Sequence, residues 1–260
     1  MIPAAGGPTV ALVTLVILVA GATNGLAGFG FAVVGTMALA TLVDPTTAVV
    51  FMILPILSVN LSLVRDLSRE ELRDCSRRFA PLIAAALVGT VVGMAVLGSI
   101  PSGPLRVGLG VLTLGFVATA QRLVPLPEWP SGGTRLGHSR VGMVGVGGVS
   151  GLLFGGTNVG VQLIAYLRSF DISHGVFVGV AALVFLGLNG VRVAVAGIFG
   201  LYPSRLVLLA SVVAAVPAVL GVSVGKRLRG AVGERARRAV VFGLLTVIGV
   251  RLIAGGLGLF

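Results

Sequence analysis

The amino-acid sequence predicts an all-α integral membrane protein with two inverted-topology repeats, each a broken glycine-rich helical hairpin plus three transmembrane helices. Three observations lead to this prediction: an apolar composition, long uncharged runs, and basic residues clustered between those runs. Of the 260 residues, 56% are hydrophobic and only 10% are charged. Soluble domains carry about 25% charged residues, so a water-exposed globule of this composition would lack the polar surface to cover itself.

The uncharged runs are long enough to cross a membrane several times. A hydrocarbon core of about 30 Å needs roughly 20 apolar residues per helix. The first 43 residues contain no charged side chain, and further uncharged runs follow at 46–64, 79–105, 107–121, 141–167, 206–225 and 239–250. We therefore expect a multi-pass protein in which 46–64, 79–99, 107–121, 175–199, 206–225 and a last span around 239–250 each cross the membrane.

The basic residues indicate which loops face the cytoplasm. Basic residues cluster in three loops, with five at 65–78, three at 122–140 and six at 226–238. The positive-inside rule places such loops inside the cell. With 100–106 as an outer loop, 9–43 must then begin and end outside, and 141–167 must begin and end inside. This topology puts both termini outside and predicts the cell (inner) membrane as the location. The net charge of +11 then suits anionic lipid beside the loops rather than nucleic acid.

Two of the uncharged stretches are expected to break inside the membrane. As one straight helix, residues 9–43 would be about 52 Å long, far more than the bilayer needs. Glycines mark the expected breaks. In the stretch 9–43 these glycines are Gly21, Gly25, Gly28 and Gly30, and in the stretch 141–167 they are Gly147, Gly151, Gly155 and Gly156. Irregular backbone is tolerated at membrane depth only where protein or a water-filled cavity pairs its polar groups. The breaks therefore predict a cavity.

The two halves of the chain look like copies of each other. The matched residues are Gly21 and Gly147, 126 apart, Asp44 and Asp171, 127 apart, and Asn60 and Asn189, 129 apart. The motifs Gly89-x-x-x-Gly93 and Gly221-x-x-x-Gly225 lie 132 residues apart. They permit close helix packing, either within the chain or between subunits. We expect a first membrane repeat at 1–124, a cytoplasmic linker at 125–140 and a second membrane repeat at 141–260. Opposed repeats of this kind are typical of secondary transporters.

The glycine pattern also resembles that of a known family. The pattern Gly21-x-x-x-Gly25-x-x-Gly28-x-Gly30, its second copy around 147–156, and the overall length and repeat are similar to the TauE/SafE sulfite exporter (TSUP) permease family. The resemblance covers essentially the whole chain. It implies a permease for sulfite, for sulfonates such as sulfoacetate, or for related sulfur-containing anions.

The candidate binding residues lie near the two breaks and in the spans that follow them. The N-terminus of a half-helix presents free N–H groups and a positive partial charge, which suits an oxyanion. We therefore expect Asn24 and Asn158, with the backbone beside them, to hold the anion. The alternative is that these polar side chains only bond helix to helix. The candidate residues are Thr23, Asn24, Gly28, Phe29, Gly30, Asn60, Gly155, Gly156, Thr157, Asn158, Gln162, Asn189 and Arg192.

Arg192 lies one helical turn after Asn189, so the two share a helix face. An arginine inside a membrane is costly and usually faces a cavity or a partner. It could instead extend roughly 10 Å along the helix to the membrane interface, and the sequence leaves both alternatives open. Asp44 and Asp171 are expected to begin helices as N-cap residues, with Pro45 in the first helical position.

The predicted function is a secondary permease that exports a small sulfur-containing anion by alternating access around a midplane site. The alternative from another class is a membrane scaffold or assembly subunit without a substrate. An intramembrane enzyme is disfavoured, because no HExxH motif, serine–histidine pair or carboxylate pair falls at membrane depth. No cofactor or metal is expected. The expected partners are the small anion and membrane lipid, and a homodimer is left open.

Overall fold

The computed structural model describes residues 7–27, 30–64, 79–121, 139–168, 170 and 174–259. These residues form twelve α-helices and no strand. The helices are α1 (Gly7–Ala27), α2 (Phe31–Ala40), α3 (Pro45–Phe51), α4 (Ile53–Val64), α5 (Ala80–Leu97), α6 (Ser102–Ala120), α7 (Arg140–Thr157), α8 (Val161–Arg168), α9 (His174–Ile198), α10 (Arg205–Val213), α11 (Ala215–Leu228) and α12 (Glu234–Gly256).

Five helical segments among the described residues are long and apolar enough to cross a membrane. They are Gly7–Ala27, Ala80–Leu97, Ser102–Ala120, Arg205–Leu228, which combines α10 and α11, and Glu234–Gly256. The prediction of an α-helical, multi-pass membrane protein is therefore confirmed. The basic loop at 65–78 and most of the predicted linker at 125–140 lie outside the described residues.

Both stretches, 9–43 and 141–167, are broken, but most of the glycines expected to mark the breaks lie inside helices. These are Gly21 and Gly25 in α1, and Gly147, Gly151, Gly155 and Gly156 in α7, because a helix tolerates glycine where a neighbouring backbone packs closely against it. The first break separates α1, which ends at Ala27, from α2, which begins at Phe31, and the second separates α7 from α8 at residues 158–160. Gly30, with φ 105°, and Asn158, with φ 63°, both adopt the left-handed conformation at the break. Glycine and asparagine tolerate this conformation better than most other residues. The sequence can therefore leave the helix at these two points at low conformational cost.

The first break folds the chain back on itself. Gly35 of α2 lies so close to α1 that a Cβ atom built on it would be 3.4 Å from the Cβ of Ala20. α7 and α8 also pack against each other. Two candidate residues at the first break, Gly28 and Phe29, lie outside the described residues.

The structure agrees with one predicted helix start and corrects another. The carboxylate of Asp44 accepts a hydrogen bond from the Thr47 N–H at 3.0 Å, and Pro45 occupies the first position of α3. Asp171 lies outside the described residues. The expected outer loop at 100–106 is shorter than predicted, because α6 begins at Ser102 and contains Arg106. The first turn of α6 contains a proline. It is tolerated there because the first N–H groups of a helix have no partner within the helix.

Two further interruptions were not predicted from the sequence. The crossing expected at 46–64 is divided at Met52 into α3 and α4, and α10 and α11 are divided at Ala214. Pro55 and Pro217 each follow within a few residues. A proline inside a helix lacks the N–H that would bond the carbonyl four residues earlier, and its ring pushes that turn apart. These two prolines are the sequence signals for the interruptions.

The glycine motifs pack helices of the two halves against each other. α1 packs on α11, and α5 packs on α7. A Cβ atom added to Gly25 would overlap the carbonyl oxygen of Val222, and one added to Gly151 would overlap the carbonyl oxygen of Ala86. Small residues allow this close approach of two helix backbones. Of the two packing modes left open by the sequence, the structure shows the one within a single chain.

The buried side chains form two hydrophobic clusters. The main core includes α1 to α4, α6, α10 to α12, and the C-terminal ends of α5 and α9. The hairpin cluster joins α5, α7, α8 and α9 through Phe79, Leu82, Ala86, Met143, Phe154, Leu163, Tyr166, Leu167, Phe170, Ala181, Val184 and Leu188. Phe154 belongs to the hairpin cluster and Val159 to the main core. The second break therefore lies where the two clusters meet.

We predict that Gly151→Ala destabilises the protein, whereas Gly148→Ala in the same helix does not. The added methyl group at 151 would meet backbone atoms of α5, which cannot rotate away, while position 148 has no atom within 4 Å of a built Cβ. Overpacking of this kind costs about 1–3 kcal/mol. Thermal unfolding in detergent measures the difference. Equal midpoints for the two variants would contradict close packing of α5 on α7.

Candidate functional site

Arg192 in α9 is fully enclosed by protein, with 0% of its surface exposed. Its Nη1 donates to the Oδ1 of Asn189 at 3.4 Å, and its Nη2 donates to the Gly155 carbonyl at 3.5 Å. The guanidinium carbon lies 4.9 Å from the centre of the Phe154 ring. The side chain therefore packs against the end of α7 beside the second break. Its guanidinium is thus enclosed by protein rather than extended along the helix to an exposed position.

The positive charge of Arg192 has weak compensation. Both of its hydrogen bonds are at the long end of the accepted range, and its Nε atom has no hydrogen-bond partner within the described part of the chain. The ion pair found among those residues joins Arg238 and Glu234 at the surface, far along the sequence. Burying a charge in protein costs on the order of several kcal/mol unless partners offset it. A buried guanidinium in this condition is a natural counter-charge for an anion.

The last turn of α7 partly offsets this charge. Gly155, Gly156 and Thr157 form that turn, so their N–H groups point back into the helix and their carbonyl groups end it. The Thr157 hydroxyl donates to the Leu153 carbonyl at 2.6 Å and accepts from the Val159 N–H at 3.1 Å. A helix C-terminus carries partial negative charge. This backbone therefore suits a cation, and its N–H groups are not placed to hold an anion as the sequence predicts.

Asn158 ties the second break to the first half of the chain. Its side chain is 0% exposed, and its Nδ2 donates to the Thr36 hydroxyl at 2.7 Å and to the Val49 carbonyl at 3.1 Å. These partners lie in α2 and α3. The Oδ1 atom of the same amide has no partner among the described residues. The break between α7 and α8 is therefore held against the first hairpin and the helix that follows it.

The interruption between α3 and α4 brings a second polar contact to this region. Because Pro55 has no N–H, the Phe51 carbonyl lacks its usual helical donor. The hydroxyl of Ser211 in α10 donates to that carbonyl instead, at 2.5 Å. Tyr202, in the connection between α9 and α10, lies beside Ser211 and close enough to Arg192 to interact with its charge. The helix interruption is thus paired by a side chain from the other half.

The candidate residues of the first hairpin have separate partners. The Thr23 hydroxyl donates to the Ala20 carbonyl at 2.7 Å. The Oδ1 of Asn24 accepts from the Phe31 N–H at 3.4 Å, across the break between α1 and α2, and Gly30 occupies the N-cap position of α2. Asn24 therefore closes its own hairpin, and no hydrogen bond in the described structure joins it to Asn158.

The structure brings together part of the predicted set. Gly155, Asn189 and Arg192 are in direct contact, and Asn158 follows Gly155 by one helical turn. Asn189 is buried and also donates from Nδ2 to the carbonyl of its own helix at Phe185, at 2.8 Å. Two other candidates, Gln162 at the start of α8 and Asn60 in α4, are half-buried.

Three residues at this site were missed by sequence reasoning. Thr36, Tyr202 and Ser211 lie in or beside apolar segments, and each is a common helix or loop residue. Ser211 could have been found from Pro55, since a carbonyl freed by a proline inside a membrane needs another donor. Thr36 and Tyr202 carry no such signal, because their roles depend on which helices pack together.

Comparison with known proteins gives one match. A family model described as "Sulfite exporter TauE/SafE" matches residues 13–252. No curated protein and no solved structure matches the chain. The matched region contains both broken hairpins and Arg192.

We predict that Ser211→Ala lowers the free energy of unfolding by about 1–3 kcal/mol, the usual cost of leaving a buried polar group unpaired. Ser223→Ala, in the exposed part of the neighbouring helix α11, should change stability by less than about 0.5 kcal/mol. Adding Pro55→Ala to Ser211→Ala restores an N–H for the Phe51 carbonyl and should recover part of the loss. Thermal unfolding of the single and double variants tests this, and a double variant no more stable than Ser211→Ala would refute the pairing.

Proposed function

Because the chain belongs to the sulfite exporter TauE/SafE family, a family of membrane transporters, we propose that it is a secondary permease exporting a small sulfur-containing anion such as sulfite or a sulfonate. The observation that carries this proposal is the fully buried Arg192 beside the second helix break. A buried cation without a carboxylate partner among the described residues supports an anionic ligand. A bound anion would give the guanidinium the charge-assisted hydrogen bonds that it lacks.

We further propose that the two halves are inverted repeats related by a pseudo-twofold axis. The packing supports this, because contacts are exchanged between the halves: α1 packs on α11 as α7 packs on α5. The remaining large contacts join counterparts, α4 with α9 and α6 with α12. A twofold relation produces these two kinds of contact together. The proposed units are the repeats at 1–124 and 141–260, with the linker at 125–140 between them.

The register of the exchanged contacts supports the same relation. Gly25 of α1 faces Val222 of α11, and Gly151 of α7 faces Ala86 of α5. The helices α1 and α7 therefore correspond at an offset of 126 residues, and the helices on which they pack correspond at an offset of 136 residues. Gly21 faces Ala218 while Gly147 faces Leu82, which gives the same two offsets. The second offset differs by one helical turn from the 132 expected from the glycine motifs.

Two arginine contacts support the proposed orientation. Arg237, near the start of α12, donates to the Leu26 carbonyl at 3.3 Å, so the end of α1 lies beside the basic segment 226–238. Arg106 donates to the Val43 carbonyl at 3.3 Å at the far end of α2. With the basic segment in the cytoplasm, α1 runs inward from an outer N-terminus. The inside-negative potential of an inner membrane then favours anion export by about 2.3 kcal/mol per charge per 100 mV.

The proposed transport step is alternating access. Arg192 and Asn158 are both fully buried here, so an anion could reach them only if neighbouring helices separate. The second break lies between the hairpin cluster and the main core. We propose that these two bodies move relative to each other and open the site to one side of the membrane at a time.

We predict that Arg192→Gln reduces sulfite flux in proteoliposomes by about tenfold or more, because losing a hydrogen bond to a charged group costs roughly 1.5–3 kcal/mol. Arg251→Gln is the matched control, since Arg251 also lies in a membrane helix but is exposed. Its flux should remain near that of the wild type. Both variants are first compared for thermal stability in detergent.

The outcomes separate transport from the scaffold alternative. Flux in the wild type and loss in Arg192→Gln alone support the permease and its site. Equal flux in all three proteins would leave the permease but remove Arg192 from the site. No flux of sulfite or of any sulfonate by the wild type would favour a scaffold.

We predict that the starts of α1 and α7 lie on opposite sides of the membrane. In a Cys75→Ser background, Gly7→Cys should react with a membrane-impermeant thiol reagent on intact cells. Ser139→Cys, just before α7, should react only after the membrane is permeabilised. Labelling of both positions from the same side would contradict the inverted repeat.

A further inference from the structure

An unpaired acceptor lies at the second break, on the residue that ends α7. The Nδ2 of Asn158 faces the Val49 carbonyl, and because a carbonyl only accepts hydrogen bonds, the atom facing it must be the amide nitrogen. The Oδ1 is therefore the atom left buried without a donor in the described structure. The Oε1 of Gln162, four residues further on, is buried in the same condition.

The donor and the acceptors lie against the same turn. The Asn158 N–H bonds to the Phe154 carbonyl at 3.0 Å, and the guanidinium of Arg192 covers the Phe154 ring and reaches the Gly155 carbonyl. A single positive charge and an unpaired amide oxygen therefore both adjoin residues 154–158. We take this turn as the place of the ligand.

This combination restricts the ionisation state of the ligand. A fully deprotonated oxyanion offers only acceptor atoms, so it would face the Asn158 oxygen with like partial charge and leave it unpaired. Its second negative charge would also exceed the one positive charge of Arg192. A monoanion that keeps one hydroxyl can give its anionic oxygens to Arg192 and donate its proton to the amide oxygen.

Building on the proposed function, we propose that the site selects hydrogensulfite, the singly protonated form of sulfite, with Arg192 binding its anionic oxygens and Asn158 Oδ1 accepting from its hydroxyl. Gln162 Oε1 is the second acceptor available at the same break. A sulfonate head group carries the same single charge but no hydroxyl. It therefore satisfies Arg192 and leaves the amide oxygens unpaired.

Few charged groups surround this turn. Arg192 comes from α9, and Tyr202 follows α9. α2 contributes no charged side chain, α3 has Asp44 at its N-cap, and α7 has Arg140 at its opposite end. Arg106 of α6 is bonded to the Val43 carbonyl. Burial raises the pKa of the Tyr202 phenol, so it stays protonated near neutral pH. His174 begins α9, 18 residues before Arg192, and a histidine can also titrate near neutral pH. A pH response of transport is therefore assigned to ionisation of the ligand only relative to a ligand that keeps its charge.

The test compares two ligands of similar size in proteoliposomes, sulfite and methanesulfonate, below and above the pH at which hydrogensulfite loses its proton. Methanesulfonate keeps one charge throughout, so its flux reports any effect of pH on the protein itself. We expect the ratio of sulfite flux to methanesulfonate flux to fall by about tenfold as hydrogensulfite is replaced by the dianion. This is the loss of affinity that corresponds to leaving one buried polar group without a hydrogen bond.

Each outcome decides between the two proposals. A ratio that falls with rising pH supports selection of hydrogensulfite. Sulfite flux with a ratio that does not depend on pH overturns it and leaves the permease intact. No flux of either anion overturns the proposed function, and the selectivity proposal with it.

Variants locate the selectivity. Asn158→Leu should bring the sulfite to methanesulfonate ratio at low pH close to one, whereas a merely structural role would lower both fluxes together. Gln162→Leu provides a second variant, since it removes the other unpaired acceptor without breaking the contacts to Thr36 and Val49. A ratio unchanged in both variants overturns the role of the amide oxygens.

Discussion

Polar backbone groups inside a bilayer must find partners within the protein, and this constraint accounts for most of the polar side chains in the fold. Three of the four interruptions have a side-chain partner in the described structure. Asn24 accepts from the Phe31 N–H at the first break, and Thr157 accepts from the Val159 N–H at the second. Ser211 donates to the Phe51 carbonyl that Pro55 leaves open. The irregular backbone is therefore stable because it is paired across helices.

The hydrogen-bond partners of the polar groups also distinguish the two hairpins. In the first, the described polar side chains of Thr23 and Asn24 are used locally, and Arg237 binds the end of α1. Beside the second, Arg192 Nε in α9 and Asn158 Oδ1 at the break have no hydrogen-bond partner among the described residues, although both residues are fully buried. Stability alone disfavours a buried polar group without a partner. The region beside the second hairpin is therefore where we propose that the anion binds.

The sequence predicted the features that depend on local chemistry. The Asp44 cap and the shared face of Asn189 and Arg192 follow from residue type and helical spacing, and the structure agrees with both. The existence of a break in each long stretch is confirmed as well, but its position is not, because most of the glycines expected to mark it lie inside α1 and α7. The interruptions at Pro55 and Pro217 were readable from the same rules but were missed. Thr36 and Tyr202 could not have been found, because their roles depend on tertiary packing. The expectation that Asn24 and Asn158 act together likewise depends on packing, and the structure gives them different partners.

The end of α7 explains how Arg192 can remain buried without its ligand. The C-terminus of a helix carries roughly half a negative charge, and the Gly155 carbonyl presents it to the guanidinium. A full negative charge on an anion interacts more strongly with Arg192 than this partial charge does, so binding does not require the arginine to give up a strong ion pair. Close packing of Gly151 and Gly155 on α5 fixes this helix end in place. The weak partner therefore keeps the cation positioned, and in the proposed mechanism it leaves the guanidinium free to bind and release an anion.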